Sequence, residues 1–111
     1  MKVAVIGSRD LINVEISKYI PENTAEIISG GARGIDTLAE EWADENGISK
    51  IIIKPEYERY KRGAPLKRNK KIVELADVII ALWDGKSRGT KFTIDYAKNL
   101  KKEVKIYVIE N

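Results

Sequence analysis

The chain has 111 residues and a net charge of +3, with 33% charged and 43% hydrophobic residues, which predicts one folded domain over residues 1–111 and excludes a disordered chain. Cysteine and histidine are both absent, which excludes disulfides, thiolate chemistry and the usual histidine bases and metal ligands, so we expect no metal site. No apolar stretch is long enough to cross a bilayer and the apolar start is too short for a signal peptide, so we expect a cytoplasmic protein.

Five short runs rich in valine and isoleucine predict the strands of one sheet. They cover residues 3–6, 27–29, 51–53, 78–82 and 104–109. None of them alternates between apolar and polar residues, which is typical of parallel strands that are covered on both faces.

Helical periodicity fills the first two intervals between these strands. The first helix is predicted to end at Pro21, and its inward residues would be Ile12, Ile16, Tyr19 and Ile20. The second is predicted to end at the capping pair Asn46-Gly47, and its inward face would carry Ile35, Leu38, Ala39, Trp42 and Ala43. Trp42 is therefore expected in the core.

Two more helices are predicted further along the chain. The third would run from about residue 65 to 76 and bury Leu66, Ile72, Val73 and Ala76. The segment after Asp84-Gly85 fits two structures. A hairpin strand would use the alternation of Thr90, Phe92, Ile94 and Tyr96, whereas a helix would use the spacing of Phe92, Tyr96, Ala97 and Leu100. We predict the helix.

This β-α alternation predicts a Rossmann-like α/β fold, in which a doubly wound parallel sheet with strand order 3-2-1-4-5 carries helices on both faces. In such a sheet the chain reverses direction between strands one and four, and ligands bind beyond the carboxyl ends of the strands at that point. We therefore expect the loops after strands one, two and four to converge there.

The residues expected at this crevice are typical of a phosphate site. Glycine lets the backbone approach a ligand closely, and the free amides at the start of a helix attract anions. Each charged hydrogen bond from arginine would add about 1.5 to 3 kcal/mol. The candidate ligand-binding residues are Gly7, Ser8, Arg9, Gly30, Gly31, Arg33, Gly34, Asp36, Arg68, Asn69, Trp83, Asp84, Gly85, Ser87, Gly89 and Thr90.

Structural roles compete with ligand binding at several of these positions. A carboxylate at Asp36 is equally expected to interact with the dipole of the first helical turn or to accept hydrogen bonds from ribose hydroxyls. Trp83 suits the core, although its place at the end of a strand would also let it cover a base. Ser8, Ser87 and Thr90 have no histidine to activate them, so donation to phosphate is preferred over a nucleophilic role.

Two common nucleotide-binding motifs are absent. The glycines of residues 30–34 lack the spacing of the dinucleotide fingerprint, which argues against NAD, and the chain has no Gly-Lys-Ser/Thr ending of a P-loop. We therefore expect no cofactor.

A basic segment lies between Lys54 and Lys71. Its cations are Lys54, Arg59, Lys61, Arg62, Lys67, Arg68, Lys70 and Lys71. A solvated charged face is the simpler interpretation. The alternative is single-stranded nucleic-acid binding, with Tyr57 and Tyr60 as stacking surfaces.

Three motifs resemble those of the SLOG superfamily, particularly its YspA/YpsA-related branch. They are residues 29–36 (SGGARGID), the pair Arg68-Asn69 opening a helix, and residues 83–90 (WDGKSRGT). The similarity runs essentially end to end. The superfamily includes DprA-type DNA-processing proteins and the "lonely guy" phosphoribohydrolases, so the resemblance implies a Rossmann-like domain that binds a nucleotide or a nucleotide-derived signal. Self-association of relatives also makes a homo-oligomer an expectation.

The loop after strand four differs from that of the phosphoribohydrolases. They carry Pro-Gly-Gly-x-Gly-Thr followed by a catalytic glutamate, whereas here Thr90 is followed by Lys91-Phe92-Thr93. If the chain were an enzyme, its candidate acids and bases would be Asp36, Asp84 and Asp95. We expect a binding module for a nucleotide-type ligand first. A phosphoribohydrolase-type enzyme and a DprA-like single-stranded DNA binder remain the alternatives.

Overall fold

The computed structural model describes residues 1–110 and contains one five-stranded parallel sheet. Its strands are β1 (Lys2–Gly7), β2 (Glu26–Ser29), β3 (Ser49–Ile52), β4 (Val78–Trp83) and β5 (Glu103–Val108). Their order is β3-β2-β1-β4-β5, and every neighbouring pair is parallel. The predicted Rossmann-like class and strand order are confirmed.

Helices cover both faces of the sheet. They are α1 (Ile35–Glu45), the short α2 (Tyr57–Tyr60), α3 (Ala64–Leu75) and α4 (Arg88–Asn99). Successive β1 residues point to opposite faces, so Val3 and Val5 join the apolar cluster under α1 while Ala4 and Ile6 join the cluster under α3 and α4. The predicted helix after Asp84-Gly85 is confirmed, and Trp42 packs half-buried against the α1 cluster.

The first predicted helix is wrong. Between β1 and β2 the structure has a single 3₁₀ turn, Ile16–Lys18. The Leu11 amide donates to the Ser8 carbonyl at 3.3 Å, which turns the chain early and buries Leu11, whereas Ile12 is 64% exposed. Helix propensity is a weak preference, and packing of Leu11 and Ile16 against the core overrides it here.

Two apolar residues predicted to face the core are partly exposed, at 37% for Leu66 and 43% for Leu100. Leu66 lies in the first turn of α3, beyond the end of the sheet, and it lines the cavity described below. Leu100 follows the last residue of α4. Within residues 1–110, no helix has both the length and the apolar character that crossing a membrane requires.

Candidate functional site

The loops after β1, β2 and β4 meet at one cavity beyond the carboxyl end of the sheet. This main cavity has a volume of about 590 Å³, and the first half of α3 closes its remaining side. It lies where β1 and β4 are neighbours and the chain reverses direction, which is the usual ligand position in such sheets. The predicted convergence of the three loops is confirmed.

Most of the sequence-predicted residues line this main cavity. They are Gly7, Ser8, Arg9, Arg33, Asp36, Arg68, Asn69, Asp84, Ser87, Gly89 and Thr90. Gly30 and Gly31 line an adjacent second cavity, whose volume is about 650 Å³ and which shares Arg9, Arg33 and Arg68 with the first. The structure thus brings residues from four separate segments of the chain to one crevice.

Three predicted residues lie outside both cavities. Trp83 packs against the core cluster under α3 and α4, and its Nε1 donates to the Ser87 carbonyl at 3.0 Å, so the indole braces the β4 loop. Gly85 faces β5, because a Cβ there would lie 3.8 Å from Val108. Gly34 has a φ of +78°, and a Cβ there would lie 2.5 Å from the Arg9 carbonyl oxygen. Gly34 therefore lets the start of α1 pack directly on the β1 loop.

Arg68 is a buried cation at the junction of the two cavities. Only 7% of this residue is exposed, and its guanidinium donates to the Gly30 carbonyl and to Asn69 Oδ1, the latter at 2.7 Å. The absence of a side chain at Gly30 makes room for this guanidinium, since a Cβ there would lie 2.5 Å from Arg68 Nη1 and would displace it. Burial lowers the pKa of Arg68, the Asp36 carboxylate opposes this effect, and Arg9 lowers the pKa further. An anion near Arg9 and Arg68 would relieve their mutual repulsion.

Asp36 organises the β2 loop from the first turn of α1. The residue is 9% exposed, and its Oδ2 accepts the Ala32 amide at 3.1 Å. Burial raises the pKa of Asp36, whereas the Ala32 amide and Arg68 lower it. Asp36 is therefore a buried acid at the cavity wall, with one oxygen already held by its own loop.

Asp84 plays the same part in the β4 loop. Its Oδ1 accepts the amides of Lys86 and Ser87, both at 2.8 Å, and these bonds lower the pKa of Asp84. The Asp84 amide donates to Ser8 Oγ at 3.1 Å, which ties the β4 loop to the β1 loop. The loop amides of Ala32, Lys86 and Ser87 therefore donate to the protein's own side chains and are not free for a ligand.

Helix α4 still presents free donors to the main cavity. Ser87 is its N-cap, and its Oγ accepts the Thr90 amide at 3.5 Å. Across residues 1–110 we find no acceptor for the amides of Arg88 and Gly89. A first turn with free amides at the cavity wall favours an anion.

Asp95 lies apart from the other two candidate acids. It does not line either cavity, and its carboxylate pairs with Lys91 at 2.8 Å on the exposed face of α4. Two turns of helix separate it from the capping Ser87. Of the three carboxylates considered for catalysis, only Asp36 and Asp84 reach the main cavity.

Sequence reasoning did not place several lining residues at the crevice. Lys86 and Leu66 line the main cavity. Lys54 and Tyr57, which the sequence indicated only as parts of a separate nucleic-acid surface, line the second cavity. The signal for Lys54 is its position immediately after a strand, because the carboxyl ends of all parallel strands meet at one edge. Within the basic segment, Lys54 and Arg68 are the cations that line the cavities.

Comparison with known proteins agrees with this architecture. A family model described as the YspA, cpYpsA-related SLOG family matches residues 1–60. Among solved structures, the chain is similar to DNA processing protein A (DprA) from Streptococcus pneumoniae, with a TM-score of 0.77 and 25% identity over 95% of this chain and 49% of that one. Among curated proteins, it is 31% identical over 86 residues to 2,3-dihydro-2,3-dihydroxybenzoate dehydrogenase from Bacillus subtilis (strain 168), covering 78% of this chain. The chain spans 32% of that dehydrogenase.

Proposed function

Because this chain belongs to the YspA, cpYpsA-related SLOG family, we propose that it forms a single domain that binds a nucleotide or a nucleotide-derived ligand without turning it over. The ligand's phosphate occupies the main cavity. The observation that carries this proposal is the buried guanidinium of Arg68, held by Gly30 and Asn69 at the wall of a cavity that Arg9 and Arg33 also line.

The charges of the main cavity favour an anion. Its cations are Arg9, Arg33, Arg68 and Lys86, and its carboxylates are Asp10, Asp36 and Asp84. Asp36 and Asp84 already accept backbone amides, and Asp10 lies 3.8 Å from the exposed Arg33. Among residues 1–110, Arg9 forms no ion pair and is therefore available to a ligand. Two charged hydrogen bonds and one helix start supply about 3 to 7 kcal/mol before the cost of association. Phosphate alone would therefore bind weakly, and contacts to the nucleoside would raise the affinity.

The contacts of the candidate acids support binding without turnover. Cleavage of an N-glycosidic bond requires an acid or base that is free to act on the ligand. Asp84 is held ionised by two amides, Asp36 is held by Ala32, and Asp95 lies outside both cavities. A phosphoribohydrolase-type activity is therefore the less favoured alternative. The similarity to a DNA processing protein supports DNA as a second candidate ligand.

Calorimetric titration with adenosine 5′-monophosphate (AMP) and with adenosine tests the proposal. We expect AMP to bind with a micromolar dissociation constant and adenosine to bind at least about tenfold more weakly, since adenosine has no phosphate to form charged hydrogen bonds. Arg33→Ala should lower the affinity for AMP about tenfold, as loss of one charged hydrogen bond predicts.

Arg59→Ala is the matched control. Arg33 and Arg59 are both exposed and each pairs with a carboxylate at 3.8 Å, but Arg59 lies outside both cavities. Equal affinities for AMP and adenosine, or equal losses in the two variants, would contradict the proposal. Release of free adenine during prolonged incubation with AMP would favour the phosphoribohydrolase alternative.

A further inference from the structure

The second cavity continues the main cavity and brings further cations to it. The two cavities share Arg9, Ala32, Arg33 and Arg68. The second adds Lys54, and no carboxylate stands among its lining residues within the described part of the chain. A continuous crevice therefore extends from the α4 start to the end of β3, and its far part is more uniformly positive than the main cavity.

Lys54 is held at the far end of this crevice. The Ile53 amide donates to the Ser29 carbonyl at 2.8 Å, which fixes the chain just before Lys54 to the end of β2. The Lys54 stem runs beside Gly31, where a Cβ would lie 3.4 Å from its Cγ. Among residues 1–110, neither Lys54 nor Arg9 forms an ion pair. Both cations are available to an anion.

Tyr57 supplies an aromatic surface beside these cations. It lines the second cavity, yet 55% of the residue remains exposed. Tyr60, the other candidate stacking residue, instead has Arg59 and Lys67 over its ring, at 5.2 and 5.5 Å from the centroid. An open aromatic ring next to unpaired cations is a typical stacking place for a base on a charged backbone.

We propose that the second cavity binds a second phosphate of the same ligand through Arg9 and Lys54, while an adjoining base stacks on Tyr57. This inference rests on the proposed function, which assigns the first phosphate to the main cavity. The ligand class is a nucleotide with two phosphates separated by a ribose, which occurs both in free nucleoside 3′,5′-bisphosphates and in the repeating unit of a single strand.

Titrations with AMP and adenosine 3′,5′-bisphosphate test the inference. The bisphosphate should bind about tenfold more tightly than AMP, because its second phosphate adds one charged hydrogen bond or more. Lys54→Gln should remove this tenfold gain and change the affinity for AMP less than twofold. Tyr57→Ala should lower the affinity for the bisphosphate about tenfold. Tyr57→Phe should retain that affinity, since stacking needs the ring and not the hydroxyl.

Lys98→Gln is the matched control for charge. Lys98 is exposed in the last turn of α4, at the far end of that helix from the crevice. It should change both affinities less than twofold. A bisphosphate that binds no better than AMP, or equal effects of Lys54→Gln on both ligands, would overturn the second phosphate site while leaving the main cavity in place. Failure of both ligands to bind would overturn both proposals.

Titration with a 20-nucleotide deoxyadenosine strand distinguishes a free nucleoside bisphosphate from a single strand of nucleic acid as the ligand. If the strand binds more tightly than the bisphosphate, and its affinity falls steeply with added salt, the site belongs to nucleic acid. Tighter binding of the free bisphosphate would assign it to a small molecule. Either result supports two phosphate positions if Lys54→Gln lowers the affinity for the ligand that binds more tightly.

Discussion

At the scale of single residues, Arg68 and Asp36 give the crevice its electrostatic character. Both are buried, and each is held by the β2 loop: Arg68 donates to the Gly30 carbonyl, and Asp36 accepts the Ala32 amide. Burial lowers the pKa of the first and raises the pKa of the second, because both charges lose contact with water. The attraction between the two charges opposes both shifts, so each group makes the charge of the other less costly. A carboxylate and a guanidinium in this arrangement shape the β2 loop at the wall of the main cavity.

The raised pKa of Asp36 predicts a pH-dependent gain in stability for Asp36→Asn. Below the ordinary value of 3.8 the acid is protonated in both the folded and the unfolded chain, so its ionisation costs nothing. As the pH rises through the folded pKa, the buried carboxylate destabilises the folded state. Asparagine avoids this cost and keeps an oxygen for the Ala32 amide. We therefore expect Asp36→Asn to exceed the native chain in unfolding free energy at neutral pH, with the difference shrinking on acidification.

Urea denaturation at several pH values measures this difference. Asp95→Asn is the control, because it removes the same charge from the exposed face of α4. If Asp36→Asn were less stable at neutral pH and recovered on acidification, the sign of the Asp36 pKa shift would be wrong.

At the scale of elements, the segment between β1 and β2 lacks a regular helix but still contributes to the core. Leu11 and Ile16 from this segment join the apolar cluster under α1. The hydrogen bond from the Leu11 amide to the Ser8 carbonyl forms a turn that buries Leu11 and leaves Ile12 in solvent. The same turn lies beside Arg9, so packing of Leu11 also positions the β1 side of the crevice.

Adjacent substitutions test this assignment. Leu11→Ala should lower the free energy of unfolding by about 2 to 5 kcal/mol, because it leaves a cavity in a closed core. Ile12→Ala should change it by less than about 0.5 kcal/mol, as expected for an exposed position. Urea denaturation curves for the two variants give both values. The reverse order would mean that the segment forms the amphipathic helix that its spacing suggests.

At the scale of the whole molecule, the excess of positive charge couples ligand binding to stability. The sequence has a net charge of +3 and a pI of about 9.1. The crevice concentrates unpaired cations from several loops, and these cations repel one another until an anion arrives. A bound anion therefore stabilises the folded state by mass action.

Inorganic phosphate should raise the melting temperature more than chloride does at equal ionic strength. If phosphate binds with a dissociation constant of about 1 mM, 10 mM phosphate adds about 1.4 kcal/mol and raises the melting temperature by about 5 °C. Differential scanning fluorimetry measures this shift. Arg33→Ala should reduce it and Arg59→Ala should preserve it. Identical shifts in phosphate and chloride would indicate general screening of charge instead of a site.

The sheet and the position of the crevice could be predicted from the sequence because both follow from local patterns. Valine- and isoleucine-rich runs indicate strands that are covered on both faces, and parallel strands with crossovers bring their carboxyl ends to one edge. The cover is realised on the central strands β1, β2 and β4, whereas the edge strands β3 and β5 are largely exposed, so that part of the prediction is wrong for them. The loops of residues 7–9, 29–36 and 84–90 therefore had to meet, whatever the details of packing. The helices α1, α3 and α4 could be predicted because each carries apolar residues at helical spacing, although the α4 segment also fits an alternating strand.

Only the tertiary structure decided how the site residues are used. Trp83 turns to the Ser87 carbonyl, Asp84 takes two loop amides, and the Asp84 amide reaches Ser8, which lies 76 positions earlier in the chain. Lys54 and Tyr57 join the crevice because the end of β3 lies beside β2. Such contacts depend on which polar groups lie near each other in the folded chain. Local sequence patterns cannot predict them, because those patterns do not show which groups the fold brings together.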